Sequence, residues 1–326
     1  DFPVKRAKAV AKSQHRKARS TSVKPYSVAG YGSASSPITQ QTVAQVARRK
    51  KKTYRGQKID LDLWGSSLQA KVGQTAPFYE FFEKIAPSFG VYDWGIDLDS
   101  NRATEASGGA LDSDRAKEAL RFWLDMLDYA PPEAAESTWS DVATAFGDGR
   151  IAQGWLYGEY IAALGSDPTR SQVIGKLGVA LPPTKPGVIE DAIVGAGYLG
   201  YYDGAAFGIP VNSQNGEMAL LWLQYVGQPV IQAKWAAATS RVVHLSTFDD
   251  PLVQAQDRRL NGYYTLMKKQ GHLFGGAPPL PFHVEVRDTI APYIHRAITH
   301  ELTVDQALDQ AAADVDVLLR NLADRK

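Results

Sequence analysis

The sequence of 326 residues contains no cysteine. This absence excludes disulfide bonds, thiolate catalysis and cysteine-ligated zinc. No apolar run is long enough to span a membrane as a helix, and the first residues lack the apolar core of a signal peptide. If the protein is exported, we expect its signal to have been removed or to lie outside this chain. The hydrophobic fraction of 44% is ordinary for a globular protein, and the length allows two domains.

Acidic residues are almost absent from the first part of the chain. Residues 1–56 contain 14 Lys and Arg and one acidic residue, a net charge of +13, whereas the remainder has 22 basic and 34 acidic residues. Little apolar periodicity accompanies this charge, which predicts a mostly disordered basic tail. Binding to nucleic acid or an anionic membrane stays open. Sparse aromatic residues disfavour a specific nucleic-acid module, and we favour a tail that is solvated or folds back on the acidic body.

Three helices carry clear start signals. A Ser, Thr or Asp precedes an apolar face in each, and two of them also have a partner residue three positions later. Strands are expected between the helices, at 58–65, 150–158, 176–187 and 282–288 and within 197–215. This mixture without a repeat predicts an α/β fold. The helix start signals are Asp112 or Ser113, Thr138 with Asp141, and Thr303 with Gln306.

Catalytic motifs are missing from the chain. No nucleophile elbow, phosphate-binding glycine loop, zinc-type HExxH or dinucleotide fingerprint occurs, and we expect no cofactor. The sequence FHVEVRD places His283, Glu285 and Arg287 on one side of an extended segment. A metal site there is conceivable, although the spacing matches no familiar ligand pattern.

Aromatic residues beside a carboxylate occur twice near glycines. Trp155, Tyr157 and Tyr160 surround Glu159 after a Gly-Asp-Gly break, and Tyr201 and Tyr202 precede Asp203. Such side chains either fill a core or offer a stacking platform for sugar rings, with the carboxylates bonding to hydroxyl groups. Composition alone favours the core.

The order of several segments resembles the extracellular solute-binding proteins of ABC importers, a family that includes maltose- and glycerol-3-phosphate-binding proteins. The resemblance covers about residues 105–326, and each motif is loose by itself, but six in the right order are fairly specific. The matching segments are LDSDRAKEALRFWLDML, TWSDVATAFGDGRIAQG, KLGVALPPTKPG, GAAFGIPVNSQNGEMALLWLQYV, IQAKWAAATSRVVHLSTFDDP and LTVDQALDQAAADVDVLL.

This resemblance implies a two-lobe α/β protein that binds a sugar or polyol without catalysis and delivers it to a membrane permease. It also implies a periplasmic or extracellular monomer. It favours a ligand platform over core packing as the role of the aromatic residues near Trp155, although Gln153 stands where the family usually has Met. The residues that it places near the ligand are Trp64, Trp155, Tyr157, Glu159, Tyr202, Asp203, Arg241, Glu285 and Arg287.

The first lobe is expected to be reduced, because few residues precede the helix at 111–132. The lobes would comprise 57–105 with 205–280, and 106–204 with 281–326. Since one strand and one helix cannot form a sheet, the segment at 58–65 would have to pair with strands from 205–250. Two other functions stay open, a glycan-acting enzyme with cleft carboxylates and an interaction protein that acts through its basic tail.

Overall fold

The computed structural model describes residues 63–200, 202 and 206–323, and the backbone of Thr53, Tyr54, Gln57 and Lys58. The predicted ligand residue Asp203 and almost all of the predicted basic tail lie outside the described residues. Two short antiparallel strands, β1 (Thr53–Tyr54) and β2 (Gln57–Lys58), pair with Thr53 opposite Lys58.

Helices dominate the described chain. Two short α-helices flank a π-helix, Glu80–Ile85, and form one continuous helical stretch from Ala76 to Ser88. Short 3-10 turns connect several of the longer helices. The α-helices are α1 (Ala76–Tyr79), α2 (Ala86–Ser88), α3 (Asp114–Leu127), α4 (Trp139–Gly147), α5 (Ile161–Ser166), α6 (Val188–Ile193), α7 (Gly216–Val226), α8 (Pro229–Thr239), α9 (Pro251–Arg259), α10 (Tyr263–Gln270), α11 (His283–Ile298) and α12 (Val304–Ala323).

The predicted helix starts are confirmed. The Ser113 hydroxyl accepts a hydrogen bond from the Ala116 N–H (3.3 Å) at the start of α3. Thr138 and Asp141 form a reciprocal capping box at α4. At α12, the Thr303 N–H donates to Gln306 Oε1 (3.0 Å), and the Gln306 N–H donates to Thr303 Oγ1 (3.2 Å). Local side-chain bonding to the first free N–H groups therefore sets these boundaries.

The strands predicted at 150–158, at 176–187 and within 197–215 are wrong for the described residues, which in the last range are 197–200, 202 and 206–215, so the α/β class is not confirmed. These segments are irregular, apart from short turns and helical ends. Within the part of the chain that the structure describes, pairing outside β1 and β2 is confined to two isolated bridges, Trp64 with Ile151 and Asp97 with Arg102. Apart from these bridges, the described residues offer these segments no strand to pair with, and an unpaired extended segment does not form a sheet.

The segment at 282–288 is also not extended, because α11 begins at His283. Its short apolar alternation belongs to a longer helical repeat, in which Val286, Ile290 and Ile294 are all fully buried. On a helix, His283 and Arg287 lie one turn apart on one face, and Glu285 lies on the opposite side. The expectation that His283, Glu285 and Arg287 share a side is therefore wrong.

The largest hydrophobic core, which we call the first core, joins the stretch 76–88 to α3, α11 and α12. The rings of Phe81 and Trp123 stack at its centre, with centroids 6.2 Å apart and an angle of 14° between their planes. Buried residues between 68 and 103, which were predicted to lie in the first lobe, share this core with α3, α11 and α12, which were predicted to lie in the second lobe. The division into lobes remains a prediction, and this shared packing favours one unit that includes residues 68–127.

The second core is smaller and joins α5, α8, α9 and α10. Its buried members include Ile161, Phe248, Leu260 and Tyr264. The Tyr264 hydroxyl donates to the backbone carbonyl of Ala236 (2.5 Å), which ties α10 to α8. Trp155 packs against the first core and Ile161 belongs to the second, so the chain between these two residues leads from one core to the other.

A buried carboxylate of α12 connects the C-terminal helix to residues 103–107. Asp316 accepts hydrogen bonds from the Ala103 N–H (2.6 Å), Thr104 Oγ1 (2.8 Å) and Ser107 Oγ (2.9 Å). Burial opposes ionisation of Asp316, but these donors outweigh it and hold its pKa below the ordinary 3.8. The ionised carboxylate therefore stabilises this contact.

Helix α7 is apolar on most of its surface and yet largely exposed among the described residues. Met218, Leu220, Leu221, Trp222 and Tyr225 are between 45% and 66% accessible. Helices with this composition are usually buried. None of the helices in the described ranges has the length and apolar character that a membrane span requires.

Candidate functional site

The segment 153–160 bridges the two cores and carries three of the predicted ligand residues. Every residue from Gln153 to Tyr160 is half-buried. Its backbone is irregular up to a 3-10 turn at Gly158–Tyr160, after which α5 begins. Trp155 packs against the first core, and Ile161 belongs to the second core.

A buried group of polar side chains, which we call the polar cluster, meets the segment at Tyr157. It consists of Gln69, Glu80, Glu83 and Lys84, and its first three members are at most 2% accessible. The Tyr157 hydroxyl donates to Glu83 Oε2 (2.6 Å) and accepts from Gln69 Nε2 (3.2 Å). Burial, and then the negative charge of Glu83, raises the pKa of Tyr157, so the phenol keeps the proton that it donates.

Lys84 connects the polar cluster to the main chain of the segment. Its ammonium group lies 2.6 Å from Glu80 Oε2, 3.0 Å from the Trp155 carbonyl oxygen and 4.7 Å from the centre of the Tyr157 ring. Burial raises the pKa of Glu80, and the positive charge of Lys84 opposes that rise. Glu80, Glu83 and Lys84 all lie in the π-helix, an element that occurs frequently at functional sites.

The other end of the segment is held by the second core. The Ser240 hydroxyl accepts from the Ala162 N–H (2.7 Å). Gly158 lies so close to Tyr263 that a Cβ atom at this position would fall inside van der Waals contact of the phenol oxygen and 3.4 Å from Cζ. The close approach of Tyr263 therefore favours glycine here, whereas the backbone does not, because its φ lies outside the left-handed region.

Two predicted residues form an ion pair near the end of the segment: Glu159, which belongs to it, and Arg241. Their side chains are 36% and 56% accessible, respectively. Exposed pairs of this kind contribute only about 0–1 kcal/mol to stability. Both groups therefore keep much of their capacity to bond to an incoming hydroxyl group.

Arg287 contacts a different part of the helical stretch 76–88. Its guanidinium donates to the Tyr79 hydroxyl (3.0 Å) and pairs with Asp288 (2.9 Å). Since Tyr79 precedes Glu80 directly, residues 79–84 contact both Arg287 and the 153–160 segment. Glu285, by contrast, is exposed on α11.

Known proteins resemble this chain in sequence and in fold. A profile of the bacterial extracellular solute-binding protein family matches residues 40–254. The chain belongs to this family.

Solved structures share the fold of this bacterial extracellular solute-binding protein at low identity. An ABC transporter solute-binding protein from Agrobacterium radiobacter K84 in complex with ribitol has a TM-score of 0.66 and 18% identity, over 87% of this chain and 65% of its own. Maltose-bound MalE3 from T. maritima has a TM-score of 0.67 and 20% identity, over 88% and 67%. A protein from Thermotoga lettingae TMO bound with α-D-tagatose has a TM-score of 0.65 and 18% identity, over 87% and 65%.

These similar structures are two-lobe binding proteins, and this solute-binding protein spans about two thirds of the length of each. The family and its similar structures are binding proteins rather than enzymes. Identities of 18–20% relate the folds only.

Among the residues predicted in this solute-binding protein, the structure brings together Trp155, Tyr157, Glu159 and Arg241. Trp64 is tied to residues 150–152 through its backbone: its N–H donates to the Arg150 carbonyl (2.8 Å), and its carbonyl accepts from the Ala152 N–H (3.0 Å). The expected pairing of this segment with 205–250 is therefore wrong at Trp64. Tyr202 is 62% exposed and is anchored through its N–H to the Gly275 carbonyl (3.0 Å).

Sequence reasoning missed the polar cluster and Tyr79. Apart from Gln69, these residues lie in PFYEFFEKI, which has the pattern of a short helix, and no motif marks its two buried carboxyl groups. A signal was present in the spacing of Glu80 and Lys84, since i and i+4 residues meet on one helical face.

Two surface cavities lie away from these residues. The larger, about 500 Å³, is lined by Arg102, Phe282 and Arg320 among others. The smaller, about 300 Å³, lies beside Ser67, Glu133 and Arg150. Neither is lined by a predicted ligand residue. The described ranges contain no group of three or more His, Asp or Glu side chains arranged to hold a metal.

Proposed function

We propose that this protein binds a sugar or polyol, without catalysis, at the 153–160 segment and delivers it to the permease of an ABC importer. The half-buried Trp155 carries the proposal. It belongs to a segment whose main chain is bonded to Lys84 at Trp155 and which carries, four residues later, the ion pair of Glu159 with Arg241. An aromatic face for the C–H surface of a sugar and charged groups for its hydroxyls form the combination that carbohydrate binding requires.

The comparisons support the ligand class without naming the ligand. Similar structures hold ribitol, maltose, α-D-tagatose or D-mannitol. A periplasmic or extracellular location and a monomeric state belong to the same proposal. We also propose that Trp64, Tyr202, Asp203, Glu285 and Arg287 contribute to the site or its rim.

Equilibrium titration by calorimetry tests the proposal with maltose, ribitol, D-tagatose and D-mannitol as probes. Trp155→Ala should weaken binding by about 1–3 kcal/mol, the cost of losing one aromatic platform, and should leave the fold intact.

Trp123→Ala is the matched control, because Trp123 is fully buried in the first core. This substitution should cost about 3–5 kcal/mol of unfolding free energy. If Trp155→Ala lowers the melting temperature as much as Trp123→Ala does, Trp155 is a packing residue. Turnover of glycosides by the pure protein would contradict a non-catalytic role.

A further inference from the structure

We propose that Lys84 is a positioning residue for the ligand-binding segment, and that it fixes the main chain at Trp155 and the ring of Tyr157 while Glu80 holds its ammonium group in place. The role in binding rests on the function proposed above. The positioning itself follows from the contacts of Lys84 and is tested separately.

Three contacts converge on one ammonium group. Lys84 donates to Glu80 Oε2 (2.6 Å) and to the Trp155 carbonyl (3.0 Å), and its nitrogen lies 4.7 Å from the centre of the Tyr157 ring. A lysine ammonium group has three donor protons and no acceptor, so these partners match its capacity. Its side chain is only 14% accessible, and burial strengthens both the hydrogen bonds and the cation–π contact.

The contacts matter because the segment lacks regular structure where they act. From Ala152 to Tyr157 no helix or strand orders the backbone, so hydrogen bonds from other elements must determine the orientation of its carbonyl groups. Lys84 supplies such a bond at Trp155 itself. The Tyr157 hydroxyl is held independently by Glu83 and Gln69, so losing Lys84 should disturb Trp155 more than the phenol end of Tyr157.

The test uses protein labelled with 5-fluorotryptophan and fluorine NMR, with the Trp155 resonance assigned from Trp155→Phe. Lys84→Met removes the ammonium group and keeps most of the side-chain volume. Because this substitution leaves Glu80 buried without its cation, a second variant combines Lys84→Met with Glu80→Gln, which removes both charges. Lys117→Met is the matched control, since Lys117 pairs with Asp309 at the same distance of 2.6 Å and is 16% accessible.

We expect the Trp155 resonance to shift or broaden in whichever Lys84 variant folds, and to stay unchanged in Lys117→Met. An unchanged Trp155 resonance in a folded Lys84 variant would overturn the proposal. So would equal movement of all the tryptophan resonances, because this would indicate a general loss of packing.

A measurement of sugar affinity in the same variants tests whether the positioning by Lys84 matters for binding. The affinity for the probe sugar that binds the unaltered protein should fall about ten- to hundredfold, the range found for residues that orient ligand-contacting groups at metal sites. Unchanged affinity together with a moved Trp155 resonance would remove Lys84 from the binding role. If the unaltered protein binds no probe sugar, the proposed function fails, and the NMR comparison still decides the positioning.

Discussion

Gly158 is the point at which the 153–160 segment, the proposed ligand site, touches the second core, and Gly158→Ala tests that contact. A new Cβ would overlap the hydroxyl of Tyr263. Overpacking of this kind costs about 1–3 kcal/mol. Replacing glycine by alanine in an ordinary backbone conformation gains about 0.4–1 kcal/mol through the unfolded chain. The expected net loss is about 1–2 kcal/mol.

Tyr263→Phe should relieve this loss, because it removes the overlapping oxygen and leaves the ring carbon at 3.4 Å from the new Cβ. In the Tyr263→Phe background only the gain of about 0.4–1 kcal/mol should remain. The double-mutant cycle should therefore show a coupling of about 1–3 kcal/mol between the two sites.

Thermal or denaturant unfolding of the four proteins provides these values. A change of about 1 kcal/mol moves the melting temperature by about 2–4 °C in domains of roughly 150–250 residues. If Gly158→Ala is equally destabilising in the Tyr263→Phe background and in the otherwise unaltered protein, the close approach of α10 to the segment is refuted.

Three further outcomes follow from burial and charge. Asp316→Asn should lower the free energy of unfolding at neutral pH and flatten the pH dependence of that free energy below about 4. A carboxylate whose pKa is lowered by folding stabilises the protein above its unfolded pKa, and this stabilisation is lost as the pH falls through its folded pKa. Urea unfolding across this pH range measures the effect. Leu221→Gln on exposed α7 should change the free energy of unfolding by under about 0.5 kcal/mol, whereas Leu120→Ala in the first core should lower it by about 2–5 kcal/mol. Equal effects of the two substitutions would show that α7 is buried against another part of the protein. Tyr157→Phe should lower the free energy of unfolding by about 1–3 kcal/mol, because it removes the hydroxyl that donates to the buried Glu83 carboxylate. An unchanged free energy of unfolding would show that this hydrogen bond does not form.

The helices were predictable because their signals are local. Ser113, Thr138 and Thr303 each bond to the residue three positions later in the chain, and such contacts do not depend on the rest of the fold. The periodic apolar face of α12 follows the same rule. These elements therefore appear where the sequence predicted them.

Strand predictions failed because a strand needs a partner that the sequence does not name. Residues 150–158 are rich in apolar and aromatic side chains, but in the described structure only Ile151 pairs, with Trp64. At α11 the window from 282 to 288 was too short, since the deciding residues, Ile290 and Ile294, lie beyond it. Longer windows favour the helix period there.

In the candidate site, too, the features that are local in sequence were predictable and the long-range contacts were not. Trp155, Tyr157 and Glu159 were visible as a local group of aromatic residues and a carboxylate. The partners of Tyr157, Gln69 and Glu83, lie 88 and 74 residues away from it in the chain. Only tertiary packing brings these groups together.

The proposed function places a sugar on the Trp155 indole, between the two cores. A crystal structure of the protein with the probe sugar that binds most tightly is the decisive experiment. The sugar ring should lie against the Trp155 indole, with its hydroxyls bonded to Glu159 or Arg241. A sugar that lies elsewhere, such as the cavity beside Arg102 and Arg320, with the Trp155 indole free of contact, would contradict this placement.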